Sequence, residues 1–517
     1  MRPFFNTSGP CNPAEHYMLP PERRLGDVLE LIDERRYFTL HAGRQTGKTT
    51  SARWLARHLN QEGRFHAVWV DIQNARDTPD PVKAFGGVLY DLDVSVQRDV
   101  PDLGLPADEV RALEPTNSFL LRYLRDLAAR SARPLVVLFD EADALMGEAM
   151  VSFLTQLRQG YIDRSDTPFP ASVVLIGQRQ VRDYALRQED RRAVAWLGTS
   201  SPFNISAEAM TLVAFTEAEV SELLAQHTAA TGQRFEPEAV ARIFALGQGH
   251  PWLTNALADQ ITRKDVRDRG TAITEAHVDA AKETIILERR SHIDTLVAKL
   301  REPRVRKILD PMLVGDQTAE DVLDDDFAYV LGLGLIRARG GRFEIANSVY
   351  REVIPRALTY IRQMQIANEP AWYVRGDGSL DLGKLMADWQ VFWREDGHVA
   401  AEGFAYKEAG PHLMLMAFLQ RIVNGGGRIE REYGLGRGAL DLVVHWRGER
   451  HLIEVKLRRD TTTESRALAQ VVRYLDHTGL DEGWLVLFDL RQGTSWEERL
   501  FVREVEHGGK RIRVVGC

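Results

Sequence analysis

Two groups of residues in this sequence have the types and spacing for phosphate chemistry. The first begins with HAGRQTGKTT, residues 41–50, which fits GxxxxGK[ST] except that Ala42 holds the first position and Gly43 follows. A phosphate-binding loop needs glycines so that successive backbone N–H groups can close around anionic oxygens. Gly43 and Gly47 meet that need. Lys48 is expected to reach the β- and γ-phosphates, Thr49 to offer its hydroxyl to Mg²⁺, and Thr50 to line the same site. Farther on, PLVVLFDEAD (134–143) puts Asp140 and Glu141 at the end of an apolar run. Adjacent carboxylates there suit a magnesium ligand, Asp140, and a water-activating base, Glu141. Each motif alone has a plainer explanation: a glycine-containing turn for one, helix-capping acids for the other. Together, and in this order, they point to ATP or GTP binding, with hydrolysis through Glu141.

The second group lies in GALDLVVHWRGERHLIEVKLRRD, residues 438–460. Alternating segments at 441–446 and 451–457 flank RGER, a hairpin pattern. A four-residue loop would pair Trp446 with His451 and Asp441 with Lys456. Leu442, Val444, Trp446, Ile453, Val455 and Leu457 then share one face, and Asp441, Glu454 and Lys456 the other. Asp441 and Glu454 become diagonal neighbours about 7–8 Å apart, close enough to share a hard cation such as Mg²⁺. Lys456 beside them would orient a water or stabilise a phosphorane-like transition state. The plain alternative is an amphipathic hairpin showing its charges to solvent. Gln470 and Tyr474 follow on one face of the next helix. Arg431 and Arg437 in RIEREYGLGRGALD are candidate phosphate contacts, and Glu430 and Glu432 are weaker metal candidates.

These residues require particular elements. RYFTLHA, a loop and KTTSARWLARHL read as strand, turn and helix; FHAVWVD, PLVVLFD and ASVVLIG are further strands apolar enough for a parallel sheet buried on both faces. After Asn204 strand signals vanish, and 207–285 shows helical periodicity, with Pro251 of GQGHPWL in a helix first turn. Residues 290–360 add helices and a hairpin around Gly340–Gly341, the outline of a winged helix. The expected organisation is multidomain α/β: an N-terminal arm (1–25), a P-loop core with a parallel sheet (26–205), a helical lid (206–287), a winged helix (288–362), a linker with Trp372, Trp389 and Trp393 (363–396), and a C-terminal α/β domain (397–517).

At 517 residues the chain exceeds what one core supports. A 44% hydrophobic and 27% charged composition argues against widespread disorder. Net charge of −8 excludes a uniformly basic DNA-coating protein but leaves room for a local basic groove. The two cysteines, Cys11 and Cys517, form no metal-binding or CxxC spacing, which suits a reducing cytoplasm. No signal peptide or membrane-spanning run is present in the sequence.

HAGRQTGKTT, LFDEAD, LIGQRQVRDY and GQGHPWLTNALA together resemble the AAA-like and STAND-like P-loop ATPases of bacteria. The resemblance implies ATP and Mg²⁺ as ligands and places His250 and Pro251 near the phosphates. It favours Arg179 over Gln178 as the sensor of the γ-phosphate, and sets the N-terminal arm beside the adenine. It leaves the trans arginine finger open, with Arg158 and Arg164 as candidates. Asp441 with Glu454-Val455-Lys456 resembles the core of the PD-(D/E)XK nucleases, implying a restriction-endonuclease-like domain in which Gln470, and a glutamate such as Glu408, support the active site. The leading expectation is therefore an ATP-dependent or ATP-regulated DNA-processing nuclease, with DNA as partner. The alternative is a STAND-like switch, in which nucleotide drives homo-oligomerisation and the C-terminal domain is a binding module or conditional effector. A winged-helix transcription regulator ranks lower, since no recognition helix gathers Arg and Lys.

Overall fold

The computed structural model describes all residues except 1–2, 77, 79, 105–117, 178–205, 289, 314–324, 340–341, 359–372, 398–410, 413, 417, 420–426, 434–439, 459, 461, 490 and 492–493. The chain divides into two compact units, one of residues 1–292 and 328–349, the other of 293–327 and 350–517. Among the described residues no helix is long and apolar enough to cross a membrane.

The first unit is built on strands β1 (Tyr37–His41), β2 (His66–Asp71), β3 (Leu135–Asp140), β4 (Ser172–Gly177) and β5 (Ser206–Thr211), in the spatial order β2-β3-β4-β1-β5 and all parallel. Parallel strands need crossovers, supplied by α1 (Lys48–Glu62), α2 (Pro81–Asp99), α3 (Phe119–Arg130) and α4 (Gly147–Asp163). Both faces are buried, as the unbroken apolar runs of β3 and β4 require. Phe38, Leu40, Val136, Leu138, Val174 and Ile176 meet α1 on one face. Val68, Val137, Phe139, Val173 and Leu175 meet α2, α3 and α4 on the other.

The fifth strand corrects one expectation. Strand signals do not end at Asn204, because SAEAMT pairs with β1. Its small and polar residues lack a strand's apolar pattern; the pairing comes from the exposed edge of β1. The core sheet therefore continues past residue 205. Helices α5 (Glu217–Thr231), α6 (Pro237–Gly247), α7 (Pro251–Asp259) and α8 (Glu275–Leu287) follow. After α9 (Ser291–Lys299), α10 (Pro303–Leu313) and α11 (Asp325–Gly332) come the paired strands β6 (Ile336–Arg339) and β7 (Arg342–Ile345), and then α12 (Ser348–Leu358).

The second unit carries a mixed six-stranded sheet in the order β12-β13-β11-β10-β9-β8. Its strands are β8 (Arg428–Tyr433), β9 (Leu440–Trp446), β10 (Glu449–Arg458), β11 (Glu482–Asp489), β12 (Phe501–His507) and β13 (Lys510–Gly516). One face packs on α13 (Leu382–Phe392) and on helical residues 411–412, 414–416 and 418–419 through Trp389, Trp393, Phe418, Leu442, Val444, Trp446, Ile453 and Val455. Trp389 and Trp393 thus belong to this core rather than to a free connecting stretch. The other face packs on α14 (Thr463–Thr478) through Leu452, Leu485, Ala467, Val471 and Leu475.

The β9–β10 hairpin also differs from its expected register. Its turn is Arg447–Gly448, both with positive φ (46° and 92°), so Trp446 pairs with Glu449 and Asp441 with Glu454. Two left-handed residues match the twist of the flanking strands, which a four-residue loop does less well. Asp441 therefore stands opposite Glu454 and not Lys456. The shift is by two residues, so the apolar face assigned to Leu442, Val444, Trp446, Ile453 and Val455 is unchanged.

Candidate functional site

The phosphate loop joins β1 to α1 at the carboxyl edge of the parallel sheet, where ligands of such sheets bind. Gln45 and Gly47 both have positive φ (55° and 92°), so the loop folds back on itself before α1 begins at Lys48. Gly43 has a steric reason to be glycine: a Cβ there would meet the Leu333 carbonyl oxygen at 2.9 Å. Lys48 is buried, and its Nζ donates to the carbonyls of Ala42 (2.9 Å) and Gly43 (2.8 Å). Burial lowers the Lys48 ammonium below its ordinary range, and Glu141 and Asp140 partly oppose that shift.

Asp140 ends β3, 1% exposed, and is hydrogen-bonded to the Thr49 side chain. Its Oδ1 accepts from the Glu141 N–H (3.0 Å) and its Oδ2 from the Trp69 indole (3.2 Å). Burial raises its pKa, and the Thr49 bond and Lys48 charge pull the other way. Glu141 follows with φ of 54° and pairs with Arg76 at 3.0 Å. Its pKa is raised by burial and by Asp143, with Lys48 opposing. Lys48, Thr49, Asp140 and Glu141 are thus brought together at the end of the sheet. Trp69 and Arg76 were not legible beforehand: both come from the β2 end, far away in sequence.

Thr50 serves the arm, its Oγ1 accepting from the Cys11 N–H at 3.0 Å. His250 caps α7, its Nδ1 accepting from the Leu253 N–H at 3.4 Å. It also hydrogen-bonds the Arg44 backbone, which brings it to the phosphate loop, and burial with the nearby Arg24 charge pushes its pKa to about 4. The imidazole is neutral there. Arg164 donates to the Arg35 and Ala171 carbonyls (3.0 and 3.2 Å) and lies over Tyr161, near the amino end of β1. It is committed to its own unit. Arg158 lies on α4. Gln178 and Arg179 fall outside the described residues.

Residues 32–184 match the AAA domain family. This stretch is an AAA-type P-loop ATPase domain. A second match, over residues 386–492, is to a domain of unknown function (DUF8371). No curated protein matches the chain. Among solved structures, the Walker-type ATPase PABY2304 of Pyrococcus abyssi is 15% identical, with 68% of this chain and 99% of that one covered at a TM-score of 0.48. The ORC2 protein of Aeropyrum pernix, in ADPNP–ADP complexes, is 16% identical, covering 67% and 92% at 0.38. The RuvB Holliday junction branch migration motor of Thermotoga maritima is 16% identical, covering 64% and 93% at 0.33.

In the second unit, Glu454 is fully buried, and the Lys456 ammonium lies 2.5 Å from its Oε1. Burial raises Glu454 to about 7, against the pull of Lys456 and of Arg473 on α14. Arg473 is a neighbour that strand parity did not reveal. Gln470 lies on α14 beside the buried Val471, with Tyr474 one turn on. Along β8, Arg431 pairs with Leu442 and Glu432 with Asp441 in backbone register, and Glu430 with Val443. Glu432, Asp441 and Glu454 therefore form one row of carboxylate positions across three strands. Among the described residues no cluster of His, Cys, Asp or Glu forms a metal site; Glu454 is the member of the row whose side chain is described. Glu408 and Arg437 lie outside the described residues.

Proposed function

We propose that the first unit binds ATP with Mg²⁺ and hydrolyses it. The observation that carries this is the convergence of Lys48, Thr49, Asp140 and Glu141 around a loop whose backbone turns through two left-handed residues. The site fits the nucleotide: Lys48 is a buried ammonium whose hydrogen bonds among the described residues go to loop carbonyls, a donor poised for phosphate oxygens. Thr49 and Asp140 would hold the metal, which when bound supplies charge neutralisation on the phosphates. Glu141 accepts the proton of the attacking water, and its raised pKa suits that task. Purified protein should release phosphate from ATP. Lys48→Ala should weaken ATP binding by about 10- to 100-fold. Glu141→Gln should keep binding and slow turnover by about 100-fold or more. Turnover that survives Glu141→Gln unchanged removes that base.

A second reading concerns the other unit, and the in-register row of Glu432, Asp441 and Glu454 favours it. Three acidic positions in backbone register across adjacent strands are a place where a sheet could offer carboxylates to one hard cation. We infer that this row, with Lys456 beside Glu454, serves metal-dependent cleavage of DNA phosphodiesters. The order β8, β9, β10, then α14, then β11 parallel to β10 supports the restriction-endonuclease-like expectation, and Gln470 and Arg473 on α14 would flank the row. A nuclease assay with Mg²⁺ or Mn²⁺, crossed with ATP and no nucleotide, tests it. Cleavage should vanish in Asp441→Ala and Lys456→Ala; cleavage that persists in both eliminates the assignment.

A further inference from the structure

The arm that precedes the ATPase domain holds two adjacent arginines with opposite surroundings. In the short 3₁₀ turn Pro21–Arg24, Arg23 is exposed and pairs with Glu222 at 2.6 Å. Arg24 is only 7% exposed. Its Nε and Nη2 both donate to the Val213 carbonyl (2.9 and 2.5 Å), and its guanidinium lies 4.9 Å from the Phe215 ring centroid. Its Nη1 lies 3.0 Å from where a Cβ of Gly47 would stand. The third arm of the fork is thus turned toward the phosphate loop.

Among the described residues Arg24 has no carboxylate partner. The acid whose field reaches it, Glu219, is bonded to the Thr216 backbone and hydroxyl in a helix-capping box. His250, whose ring burial and the Arg24 charge together keep unprotonated, also feels Lys48, a second cation and not an anion. A guanidinium removed from water without an anion is strongly unfavourable, and one neutral carbonyl and a ring face offset only part of that cost. Arg23 shows that this turn can send an arginine to solvent. The buried charge calls for an anion, and among the described residues its free Nη1 edge faces the phosphate-binding loop at Gly47.

We propose that Arg24 is a phosphate-binding residue of the nucleotide site, pairing its Nη1 edge with an oxygen of a bound polyphosphate beside Gly47. The proposal rests on the ATP-binding reading above and deepens it: the ligand class is a nucleoside polyphosphate held from two sides, by the loop and by the arm. It also makes the arm responsive to the ligand. The same segment is fastened by Trp252 to the Thr7 carbonyl (2.9 Å), by Cys11 to Thr50 (3.0 Å), and by reciprocal Met18–Gln226 bonds (both 3.0 Å). An oxygen that neutralises Arg24 strengthens the seating of all these contacts.

The test is competition against a fluorescent ADP on the full chain, with ATP, inorganic triphosphate and adenosine as competitors, for wild type, Arg24→Met and Arg24→Lys. Arg24→Met should weaken ATP and inorganic triphosphate alike, by about tenfold or more, and leave adenosine unchanged. Arg24→Lys should recover part of the loss, since it restores the charge without the fork. Unchanged triphosphate affinity in Arg24→Met overturns the proposal. So does an equal loss for adenosine, which would mark Arg24 as a brace of the arm. Failure of the underlying reading looks different: the wild type then binds no fluorescent ADP, or Lys48→Ala binds it as well as wild type does.

Discussion

Glu454 sets stability against charge. Its carboxyl is fully buried and its pKa is raised from 4.5 to about 7 by burial. Below pH 4.5 both folded and unfolded chains hold the proton. Between 4.5 and about 7 the unfolded chain has released it and the folded chain has not, so stability falls as pH rises through that window. Above it the loss is complete. Glu454→Gln removes the penalty, and should stabilise this unit at pH 8 by roughly 1–3 kcal/mol with little change at pH 4. Thermal melts at the two pH values check this. If the residue also serves cleavage, the same substitution raises stability and abolishes activity, the signature of a group kept for function. In the ATPase domain, Arg76 helps hold Glu141 ionised against burial. Arg76→Ala should therefore move the acidic limb of the ATPase pH profile to higher pH, and a limb that stays in place would show that the pair does not persist in the active state.

Elements explain why some positions are intolerant. The phosphate loop is crossed by the turn at Leu333–Gly334, where the Gly334 Cα lies 3.4 Å from the position of a Gly43 Cβ. A methyl at 43 must push backbone rather than a side chain. Gly43→Ala should lower both ATP affinity and the melting midpoint, by about 1–3 kcal/mol in stability, whereas Ala42, already Cβ-bearing, marks the place where the usual glycine is dispensable. Strand β2 is the edge of its sheet, yet Trp69 has no free backbone groups: its N–H donates to the Asp99 carboxylate (3.0 Å) and its carbonyl accepts from Arg98 (2.6 Å). The end of α2 thus protects the edge that carries Trp69 to Asp140.

At the scale of the molecule, the chain passes between its two units more than once, with 293–327 in one and 328–349 in the other. The turn that meets Gly43 belongs to the returning segment. Because each unit has its own core, calorimetry should separate their responses. ATP with Mg²⁺ should raise the transition of the ATPase unit, and Glu454→Gln the other. A single transition moved equally by both would mean that the units unfold as one.

The sequence by itself carried the phosphate loop, the Asp140–Glu141 pair and the apolar strands beneath them, because those features are local. Backbone N–H groups, a lysine and a hydroxyl must follow one another along the chain to surround a phosphate. Strand parity likewise assigned the buried face of the β9–β10 hairpin, which survives a two-residue shift in register. Tertiary structure decided what depends on neighbours far away in sequence. It brought SAEAMT into the core sheet through β1, set Glu432, Asp441 and Glu454 in one row, and tied Trp69 and Arg76 to the two carboxylates. It also distinguished Arg24 from Arg23, since a charge is costly or harmless according to its burial and its partners, and composition records neither.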